Sequence, residues 1–437
     1  MELLELDRTG KQTKVGQLPW LAGQASAEEG GKRLRELGWL SSEPVSDAGH
    51  ISYGPVGSLL LRLMQRHLCA LASTLTGAAE ITTPLLFESA ATGVAAEAGR
   101  FFDQMYHVGG YKKPATLVMR PGGDFGAFSL AARLDFRRSD LPWRVFECGR
   151  MFRRLQRGQV RGLQTLRAFS LLDYHAICAD IDQLWEELGH LLKAQRDAIA
   201  RLGFPAQLVF EVERSFFENY RERYLGLLDE LGCSAFVALL PQQRNYWVSQ
   251  HRFHDSDGSG LMDGQLDLEN GRNYRIHFKE ASGGSAPSAI CHGSWGSVER
   301  WLFRTVGRAS LLDPPQLPRW LSPVQLRFLP CSDSGEKVCR IFEEKLSNLS
   351  VRYDVDRRQK SVATRVRNSF QEMVDTVAVV GDQEATIENA PLPFRRADGA
   401  MQASSLEQWV TELRKETSGY PFEPLWSGGL RAYPPFR

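Results

Sequence analysis

The sequence predicts an α+β fold: a large antiparallel sheet surrounded by helices, followed by a small α/β domain. Before residue 313, strand-like runs succeed one another, as in LVFEVE, SAFVALLP and QLDLENGRNYRIHFK. Strands in runs with helices packed around them are typical of an antiparallel sheet. A Pro- and Trp-rich linker at 313–323 marks a boundary, because strands and helices alternate regularly beyond it. That alternation predicts a separate three-layer domain of roughly 100 residues.

Length and composition narrow the class of protein. A chain of 437 residues is long enough for two or three domains. It has no apolar run of membrane-spanning length and no signal-peptide pattern, so we expect a soluble cytoplasmic protein without membrane contact. The seven cysteines are scattered, which favours free thiols over a disulfide framework. A net charge of +1 excludes a generic polycation, so RNA contacts would need local patches.

Four segments are predicted along the chain. Residues 1–50 are an extension and connector, too short and too poor in apolar residues for a domain, with a short helix over 24–38. The main domain covers 51–315 and contains a long amphipathic helix over Val56–Thr76 and another over 176–205. The α/β domain covers 320–425, and 426–437 form a tail.

Within the α/β domain, the alternating pattern predicts three strands and three helices. The strands are Val324–Leu329, Val351–Val355 and Val377–Val380, and the helices are Gly335–Asn348, Ser361–Val374 and Ser404–Lys415. The domain contains no G-x-G-x-x-G sequence, so we do not interpret it as a dinucleotide site.

Residues 144–175 are unusually rich in arginine. A strand-like run, Arg144–Phe152, leads into a basic loop, Arg153–Gly162, and a second run ends at His175. Between Arg144 and Arg167 there are seven arginines and a single carboxylate, Glu147. Arginine binds phosphate bidentately, which favours a polyphosphate held against an antiparallel sheet. The alternative is a solvated basic hairpin.

A second candidate phosphate element lies at residues 287–304. A short apolar run breaks at Gly293-Ser294-Trp295-Gly296, and a helical pattern containing Arg300 follows. Glycines let the backbone approach a ligand closely, and a helix N-terminus favours anions. On its own, this pattern is weak because it is common.

Taken in order, the helix Val56–Thr76 with Ile81-Thr82-Thr83-Pro84, the stretch 144–175 and the stretch 287–304 resemble motifs 1, 2 and 3 of class II aminoacyl-tRNA synthetases. The closer similarity is to archaeal-type threonyl-tRNA synthetases. Segments such as SDAGHISYGPVG, GQLDLENGRNY and GSWGSVERW carry it, from about Ser41 onward. Because the resemblance begins at about Ser41, we expect the family's N-terminal editing domain to be missing. The resemblance implies an ATP- and Mg²⁺-dependent tRNA ligase that forms homodimers through motif 1.

The resemblance also implies roles in ATP binding. Arg153 falls on the motif 2 arginine that holds the α-phosphate. Arg300 falls on the motif 3 arginine at the γ-phosphate end, with Glu299 beside it in the ATP site. Two positions depart from the family: Leu155 replaces a glutamate, and Thr165 replaces a residue that is usually basic.

For the amino-acid pocket, the family uses a zinc ion bound by Cys, His and His. Spacing places Asp124, His175 and Cys291 at those positions, with His292 adjacent to Cys291. Because Asp, His and Cys all bind zinc, we predict a Zn²⁺ site of Asp124, His175 and Cys291. The alternative is that Cys291 is a buried strand thiol and His175 a structural histidine.

The same resemblance gives the substrate contacts. They are Asp124, Asp173, His175, Gln265 and Cys291, with Asp173 in the place of the aspartate that accepts the substrate hydroxyl. Without zinc, Asp124 and Asp173 would repel each other unless a proton or a cation lay between them. A short diamino acid would bring that cation, so it is an alternative substrate to threonine.

The small α/β domain resembles the family's anticodon-binding domain. Glu384 is retained, Gln359 stands for an asparagine, and Pro393 stands for a base-reading arginine, with Arg395 and Arg396 following. We therefore expect tRNA contacts at Glu384, Gln359, Arg395 and Arg396, with altered anticodon preference. Two other functions stay open: a ligase that supplies a biosynthetic pathway, and a non-charging accessory or RNA-binding paralogue.

Overall fold

The computed structural model describes residues 2–18, 27–101, 104–109, 114–156, 158–160, 165–243, 246–385, 391–430 and 432–436. Part of the helix predicted over 24–38, and Arg157 with residues 161–164 of the basic loop, lie outside these ranges. The chain forms two compact units. The first contains Met1–Gln24, Leu68–Arg161 and Thr165–Val298, and the second contains Ala25–His67, Gly162–Gln164 and Glu299–Arg437. The predicted domain boundaries stay predictions.

Helices occur throughout the described ranges. They are α1 (Ala27–Glu36), α2 (Pro55–Thr76), α3 (Thr92–Phe101), α4 (Asp124–Ala131), α5 (Ile181–Arg201), α6 (Arg214–Asn219), α7 (Arg221–Leu231), α8 (Asn270–Asn273), α9 (Val298–Ser310), α10 (Asp333–Leu346), α11 (Val362–Gln371), α12 (Asp382–Ala385) and α13 (Leu406–Glu416). Among the described residues, no helix combines the length and apolarity needed to cross a membrane.

The strands are mostly short. They are β1 (Glu2–Leu6), β2 (Gln12–Lys14), β3 (Leu40–Ser42), β4 (Ile51–Tyr53), β5 (Ala79–Glu80), β6 (Leu86–Glu88), β7 (His107–Gly109), β8 (Ala115–Met119), β9 (Phe136–Arg137), β10 (Trp143–Phe152), β11 (Ala168–Cys178), β12 (Gln207–Glu213), β13 (Ala235–Leu240), β14 (Trp247–His254), β15 (Gly260–Asp267), β16 (His277–Lys279), β17 (Ser285–Pro287), β18 (Ala289–Ser297), β19 (Leu326–Pro330), β20 (Tyr353–Val355), β21 (Thr376–Val380), β22 (Leu392–Arg396) and β23 (Met401–Ser404).

A ten-stranded sheet organises the first unit as described, in the order β2-β1-β13-β12-β14-β15-β18-β11-β10-β5. Its pairs are antiparallel except β10 with β5 and β12 with β13. The α+β prediction of a large antiparallel sheet is confirmed. The hairpin predicted from Arg144–Phe152 is β10 paired with β11, where Val145 lies opposite His175.

The two faces of this sheet have different coverings. Helix α5 packs against β11, β15 and β18, and the Tyr174 hydroxyl on β11 donates to Glu187 of α5. Residues adjacent in a strand point to opposite faces, so His175 faces away from α5. The face to which His175 points is covered by α4 and by a buried aromatic and aliphatic cluster around Phe125 and Phe128. The candidate site lies between α4 and the sheet.

Two elements differ from the sequence prediction. Residues 1–50 are more than a connector, because β1 pairs with β13 and its Leu4 and Leu6 are buried. The helix predicted over 176–205 begins only at Ile181. Its start is set by Asp180, whose carboxylate accepts the Gln183 N–H at 3.0 Å, while β11 continues to Cys178.

The second unit contains a five-stranded sheet in the order β20-β19-β21-β22-β23. Strand β19 pairs in parallel with β20 and β21. Strand β22 pairs antiparallel with β21 and β23. The three predicted strands and three predicted helices are present with ends moved by a few residues. Strands β22 and β23 were not predicted. Serines 332, 361 and 405 cap the three helices.

Candidate active site

Three potential metal ligands meet on the α4 side of the large sheet: Asp124, His175 and His292. One ligand atom from each lies within 4.8 Å of the others. His175 Nε2 is 2.8 Å from Asp124 Oδ1, and His292 Nδ1 is 3.2 Å from the same oxygen. The histidines are brought together by strand register, since His175 on β11 pairs directly with His292 on β18.

A glycine turn positions Asp124 next to the two histidines. Asp124 is the first residue of α4, directly after Gly122 and Gly123. The Gly123 N–H donates to Asp173 Oδ2 at 2.6 Å. A Cβ on Gly123 would lie 2.9 Å from the Asp173 side chain, so only glycine allows this approach.

Aromatic rings enclose the two histidines. The imidazole rings are stacked, with centroids 5.7 Å apart and planes at 9°. Phe128 of α4 packs edge-on against both, at 5.3 Å and 5.5 Å. Tyr246 stacks on the far side of His292 at 5.7 Å. The rings restrict water and strengthen electrostatic interactions among the enclosed groups.

Carboxyl groups crowd the same space. Besides Asp124 and Asp173 they are Glu97, Asp263 and Asp267. Glu97 on α3 accepts the Tyr274 hydroxyl at 2.7 Å and lies within hydrogen-bonding reach of Asp124. Asp267 Oδ2 is 3.7 Å from His292 Nε2, and its other oxygen accepts backbone N–H groups of Glu269 and Asn270. Asp263 accepts the Ser294 N–H at 3.1 Å.

These neighbours separate the pKa values of the acids. Burial, then the charge of Asp124, raises the pKa of Asp173 to about 7 and holds the pKa of Glu97 well above its ordinary value. Burial raises the pKa of Asp267 to about 6. Burial also opposes ionisation of Asp124, but His292 and His175 outweigh it and hold the pKa of Asp124 well below normal. Asp124 is therefore the acid of this group that ionises most readily.

Arg153 lies at the end of β10, next to this pocket. Its Nε donates to the Pro121 carbonyl at 2.9 Å, just before the glycine turn, and its guanidinium stacks over Phe169 at 5.3 Å. Its charge acts on Asp173 and Asp263, where it opposes the pKa rise that burial causes. An arginine so placed lies beside the carboxyl pocket and can bind an anionic group there.

The lone carboxylate of the arginine stretch has a structural role. Glu147 accepts the Thr83 N–H at 2.9 Å and the Thr83 hydroxyl at 2.7 Å. Arg120 forms a buried ion pair with the same carboxylate at 2.7 Å. These bonds attach the segment after β5 to β10 and fix the strand that carries Arg153.

Sequence comparison assigns the family. The family described as tRNA synthetase class II core domain (G, H, P, S and T) matches residues 111–385, more than half of the chain. The chain belongs to the class II tRNA synthetase core family. The match includes Asp124, Arg153, His175 and His292, so the pocket is part of the matched core.

Relatives of this class II core are threonine–tRNA ligases. The protein of Cenarchaeum symbiosum is 29% identical over 401 residues, which cover 89% of this chain and 65% of the relative. That of Methanopyrus kandleri is 30% identical over 414 residues, 90% of this chain and 66% of the relative. The chain thus spans about two thirds of the length of these relatives. The predicted threonyl-type recognition is confirmed.

Solved structures share the fold. The RNA binding domain of threonyl-tRNA synthetase from Cryptosporidium parvum Iowa II aligns with a TM-score of 0.78 at 19% identity, covering 91% of this chain and 99% of that one. Prolyl-tRNA synthetase from Cryptosporidium parvum, complexed with L-proline and AMP, aligns with a TM-score of 0.67 at 11% identity, covering 92% and 78%. Both support the class II synthetase fold.

The prediction of Cys291 as a metal ligand and substrate contact of this synthetase core needs correction. Cys291 pairs with Ala176, one position from the His175–His292 pair, so it points to the opposite face of the sheet. There it is fully buried, and burial, followed by the charges of Cys178 and Glu187, holds the pKa of its thiol well above normal. His292 takes its place in the cluster.

Of the other predicted residues, Gln265 lies on the same face of the sheet as His292. Gln265 on β15 pairs with His292, and its Oε1 is buried without a hydrogen-bond partner among the described residues. Glu299 and Arg300 lie in the first turn of α9, which follows β18 directly and belongs to the second unit. Leu155, at the family's glutamate position, is buried, and its carbonyl accepts Arg167 Nε at 2.8 Å.

The predicted tRNA residues of the synthetase lie in three segments of the second unit. Arg395 and Arg396 on β22 line a groove of about 730 Å³ with apolar residues of α11 and β21. Arg396 also pairs with Asp398 and Glu416 at 3.4 Å and 3.7 Å. Gln359 is exposed in the loop before α11, and Glu384 in α12 accepts the Gly381 N–H at 2.8 Å.

Sequence reasoning missed several groups of this active-site cluster. Asp263 and Asp267 flank the predicted Gln265 at two-residue spacing on β15, so strand alternation could have placed them on the same face. Glu97 and Tyr246 come from other segments, and no local pattern joins them to the metal positions. For His292, a usable signal existed, because a histidine adjacent to a proposed cysteine ligand can face the site if the register differs by one residue.

Proposed function

We propose that this chain activates an amino acid with ATP to an aminoacyl-adenylate and transfers it to tRNA, as a threonyl-type class II synthetase. One observation carries the proposal: Arg153 and the Asp124, His175 and His292 cluster lie together on one face of the sheet within the matched family core. The chain's resemblance to threonine–tRNA ligases over 89% of its length supports it.

The reaction needs charge neutralisation more than proton transfer. A carboxylate oxygen of the amino acid attacks the α-phosphorus of ATP, and pyrophosphate leaves. In this proposal Arg153 would neutralise the α-phosphate, Mg²⁺ would bind the phosphate oxygens, and the pocket would hold the amino acid in line. We assign Arg300 and Glu299 to the distal part of ATP on the resemblance alone.

We propose zinc as the resident metal, bound by Asp124, His175 and His292. One carboxylate and two imidazoles suit zinc and leave an open ligand position. Asp267, next to His292 Nε2, matches the carboxylate–histidine pairing that orients metal ligands. Bound zinc would fix the α-amino group of the substrate. Elemental analysis should find about one zinc per chain; sub-stoichiometric zinc with chelator-resistant activity would refute this site.

Transfer to tRNA and dimer formation are further parts of the proposal. Arg395 and the groove on β22 present positive charge beside apolar surface, as RNA-binding surfaces do. Strand β5 is at one edge of the described sheet, and Leu85 and Leu86 beyond it are 42% and 41% exposed. An open edge with exposed leucines supports a homodimer there. The cytoplasmic location stays a prediction.

The experiment is amino-acid-dependent pyrophosphate exchange over a panel of proteinogenic and diamino acids, followed by charging of tRNA. Exchange and charging together support the synthetase. Exchange without charging would instead favour a ligase serving a biosynthetic pathway. Absence of both would overturn the proposal and leave an accessory or RNA-binding paralogue.

A further inference from the structure

We propose that Arg120 is a positioning residue, which holds the phosphate-binding Arg153 at a fixed place beside the glycine turn. The inference rests on the proposed function in taking ATP as the ligand of Arg153. It goes beyond that function because Arg120 lies outside the three motif segments. Since only 1% of Arg120 is exposed, it acts through its neighbours rather than on a substrate.

The first observation is the bonding of a buried guanidinium. Arg120 directly follows β8. Its Nη1 donates to Glu147 Oε2 and to Thr83 Oγ1, both at 2.7 Å, and its Nε donates to the Arg150 carbonyl at 3.1 Å. Arg120, Glu147 and Thr83 therefore form a connected set of hydrogen bonds, which we call the Arg120 cluster.

The second observation is that Arg120 binds the end of β10 with its main chain as well. The Phe152 N–H donates to the Arg120 carbonyl at 3.0 Å. Arg153 comes next in the chain, and its Nε donates to the carbonyl of Pro121, the residue after Arg120. The strand end that carries Arg153 and the Arg153 side chain are thus both attached to the same dipeptide. A shift of Arg120 would therefore move Arg153.

The third observation is how closely two backbone segments approach the Arg120 cluster. A Cβ on Gly149 of β10 would lie 2.0 Å from Arg120 Nη2, and a Cβ on Gly126 of α4 would lie 1.9 Å from Thr83 Oγ1. Only glycine allows both approaches. Because α4 begins at Asp124, the cluster lies between the strand that carries Arg153 and the helix that carries Asp124.

The chemistry of the cluster favours positioning over plain stabilisation. Apolar residues of similar volume often replace a buried ion pair without loss of stability. A guanidinium instead makes several directed bonds in a fixed geometry. Attack at a phosphorus atom depends on such geometry, since a misplacement of about 1 Å can cost about 100-fold in rate.

The amino-acid side of the pocket has contacts of its own. Asp124 lies 2.8 Å from His175, and the Gly123 N–H donates to Asp173. Neither contact includes Arg120. A change at Arg120 should therefore alter ATP binding more than amino-acid binding.

The test is the pyrophosphate-exchange kinetics of Arg120→Lys, expressed per folded active site. Lysine keeps the buried charge, but its single nitrogen cannot replace both Nε and Nη1. We expect KM for ATP to rise and kcat to fall, each about tenfold, with KM for the amino acid unchanged. A purely structural role would lower only the folded fraction. Wild-type constants per folded site would therefore overturn the proposal.

Arg327→Lys is the matched control from the second unit. Arg327 is also fully buried and also donates to a carboxylate at 2.7 Å, that of Asp354. This variant should lose stability and keep wild-type KM for ATP per folded site. An equal rise of KM for ATP in both variants would overturn the proposal, because any buried arginine would then have the same effect.

A double-mutant cycle decides whether Arg120 acts through Arg153. The affinity for ATP is measured by calorimetry in Arg153→Ala with and without Arg120→Lys. We expect equal affinities, because Arg120 has no guanidinium to position once Arg153 is removed. A further loss of about tenfold in the double variant would contradict the role, since non-interacting residues give additive effects.

Thr83→Val replaces Arg120→Lys in these tests if the latter does not fold. Valine keeps the shape of threonine but removes the hydroxyl that bonds to Arg120 and Glu147. KM for ATP should rise about threefold, as the loss of a neutral hydrogen bond implies. An unchanged KM for ATP in a folded Thr83→Val variant would overturn the proposal.

Failure here is distinguishable from failure of the proposed function. Wild-type exchange with unchanged ATP constants in Arg120→Lys would refute only the positioning role. No exchange by the wild type, combined with weaker ATP binding by Arg120→Lys in calorimetry, would refute only the activation reaction. No exchange and no difference in ATP binding would refute both.

Discussion

Charge is buried in two regions of this molecule, and the two differ in how it is matched. In the second unit, Arg327 donates to Asp354 at 2.7 and 2.8 Å and to Glu372 at 2.6 Å. Arg319 likewise bonds to Asp375 and Glu416, both at 2.9 Å. Each guanidinium meets two carboxylates, so its charge is matched without a ligand.

In the pocket of the first unit, buried acids outnumber the basic groups that contact them. Burial and the charge of Asp124 raise the pKa of both Glu97 and Asp173, and two histidines share Asp124. A buried ion pair that is complete serves the fold, whereas an unmatched group of buried acids costs stability and persists where a ligand supplies the missing charge. The difference indicates which region is structural and which is functional.

The largest expected effect is the loss of pyrophosphate exchange when Arg153 is replaced. Arg153→Ala should lower pyrophosphate exchange by about 1000-fold, because the charge on the α-phosphate is no longer neutralised. Stability should change little. Arg133→Ala, an exposed arginine on the same unit, is the control. Exchange kinetics that are unchanged in Arg153→Ala would remove its phosphate role.

For the Arg327 network of the second unit we expect a loss of stability with little loss of activity. Arg327→Met should lower the free energy of unfolding by about 3–5 kcal/mol, because Asp354 and Glu372 lose their buried partner. Urea denaturation followed by fluorescence measures this. Adenylate formation by the folded fraction should persist. An exposed ion pair contributes less than about 1 kcal/mol. A loss of that size in Arg327→Met would show that the network is not needed for stability.

The close approach of the glycine turn to Asp173 can be tested with neighbouring glycines. Gly123→Ala places a Cβ 2.9 Å from Asp173, and overpacking of this kind costs about 1–3 kcal/mol. Gly122→Ala meets its nearest atom at 3.7 Å and should be tolerated. Equal stability of the two variants in urea denaturation would contradict the described approach.

The α5 face of the sheet offers a pH test. His251 is buried against Gln195 at 2.8 Å, and burial lowers its pKa to about 3. Between about pH 6.5 and pH 3 the unfolded chain binds a proton that the folded chain does not. Stability from this group is therefore present above pH 6.5 and declines as pH falls, by about 1.4 kcal/mol per unit.

Urea titrations of wild type and His251→Gln across this pH range provide the measurement. The variant should show a shallower decline in the free energy of unfolding. Parallel pH profiles would mean that His251 becomes protonated in the folded chain.

The sequence was informative where signals are local. Period-2 runs predicted β10 and β11, and helical spacing predicted α2. Retention of His175 and Asp173 on one strand predicted part of the pocket. Strand β22 was missed because Pro393 argues against a paired strand, yet β22 pairs on both sides. Hairpin β1–β2 was missed because its strands are short.

Register explains the main error at the site. Cys291 and His292 are adjacent, so a shift of one residue decides which of them faces the cluster. That register is fixed by pairing with β11 and β15, which a single sequence does not specify. Glu97 reaches the cluster because α3 packs beside it. Sequence spacing does not predict such a tertiary contact.

The most direct test compares one acid from each region in ligand-free protein at neutral pH. Glu97→Gln should raise the free energy of unfolding by about 1 kcal/mol, because burial holds the pKa of Glu97 well above normal and folding must therefore protonate this acid, whereas an amide is neutral in both states and can donate to Asp124. Asp354→Asn should lower it, because Arg327 loses a charged partner. Destabilisation by both substitutions would contradict the claim that the buried acids of the pocket, unlike those of the second unit, lack a matching partner.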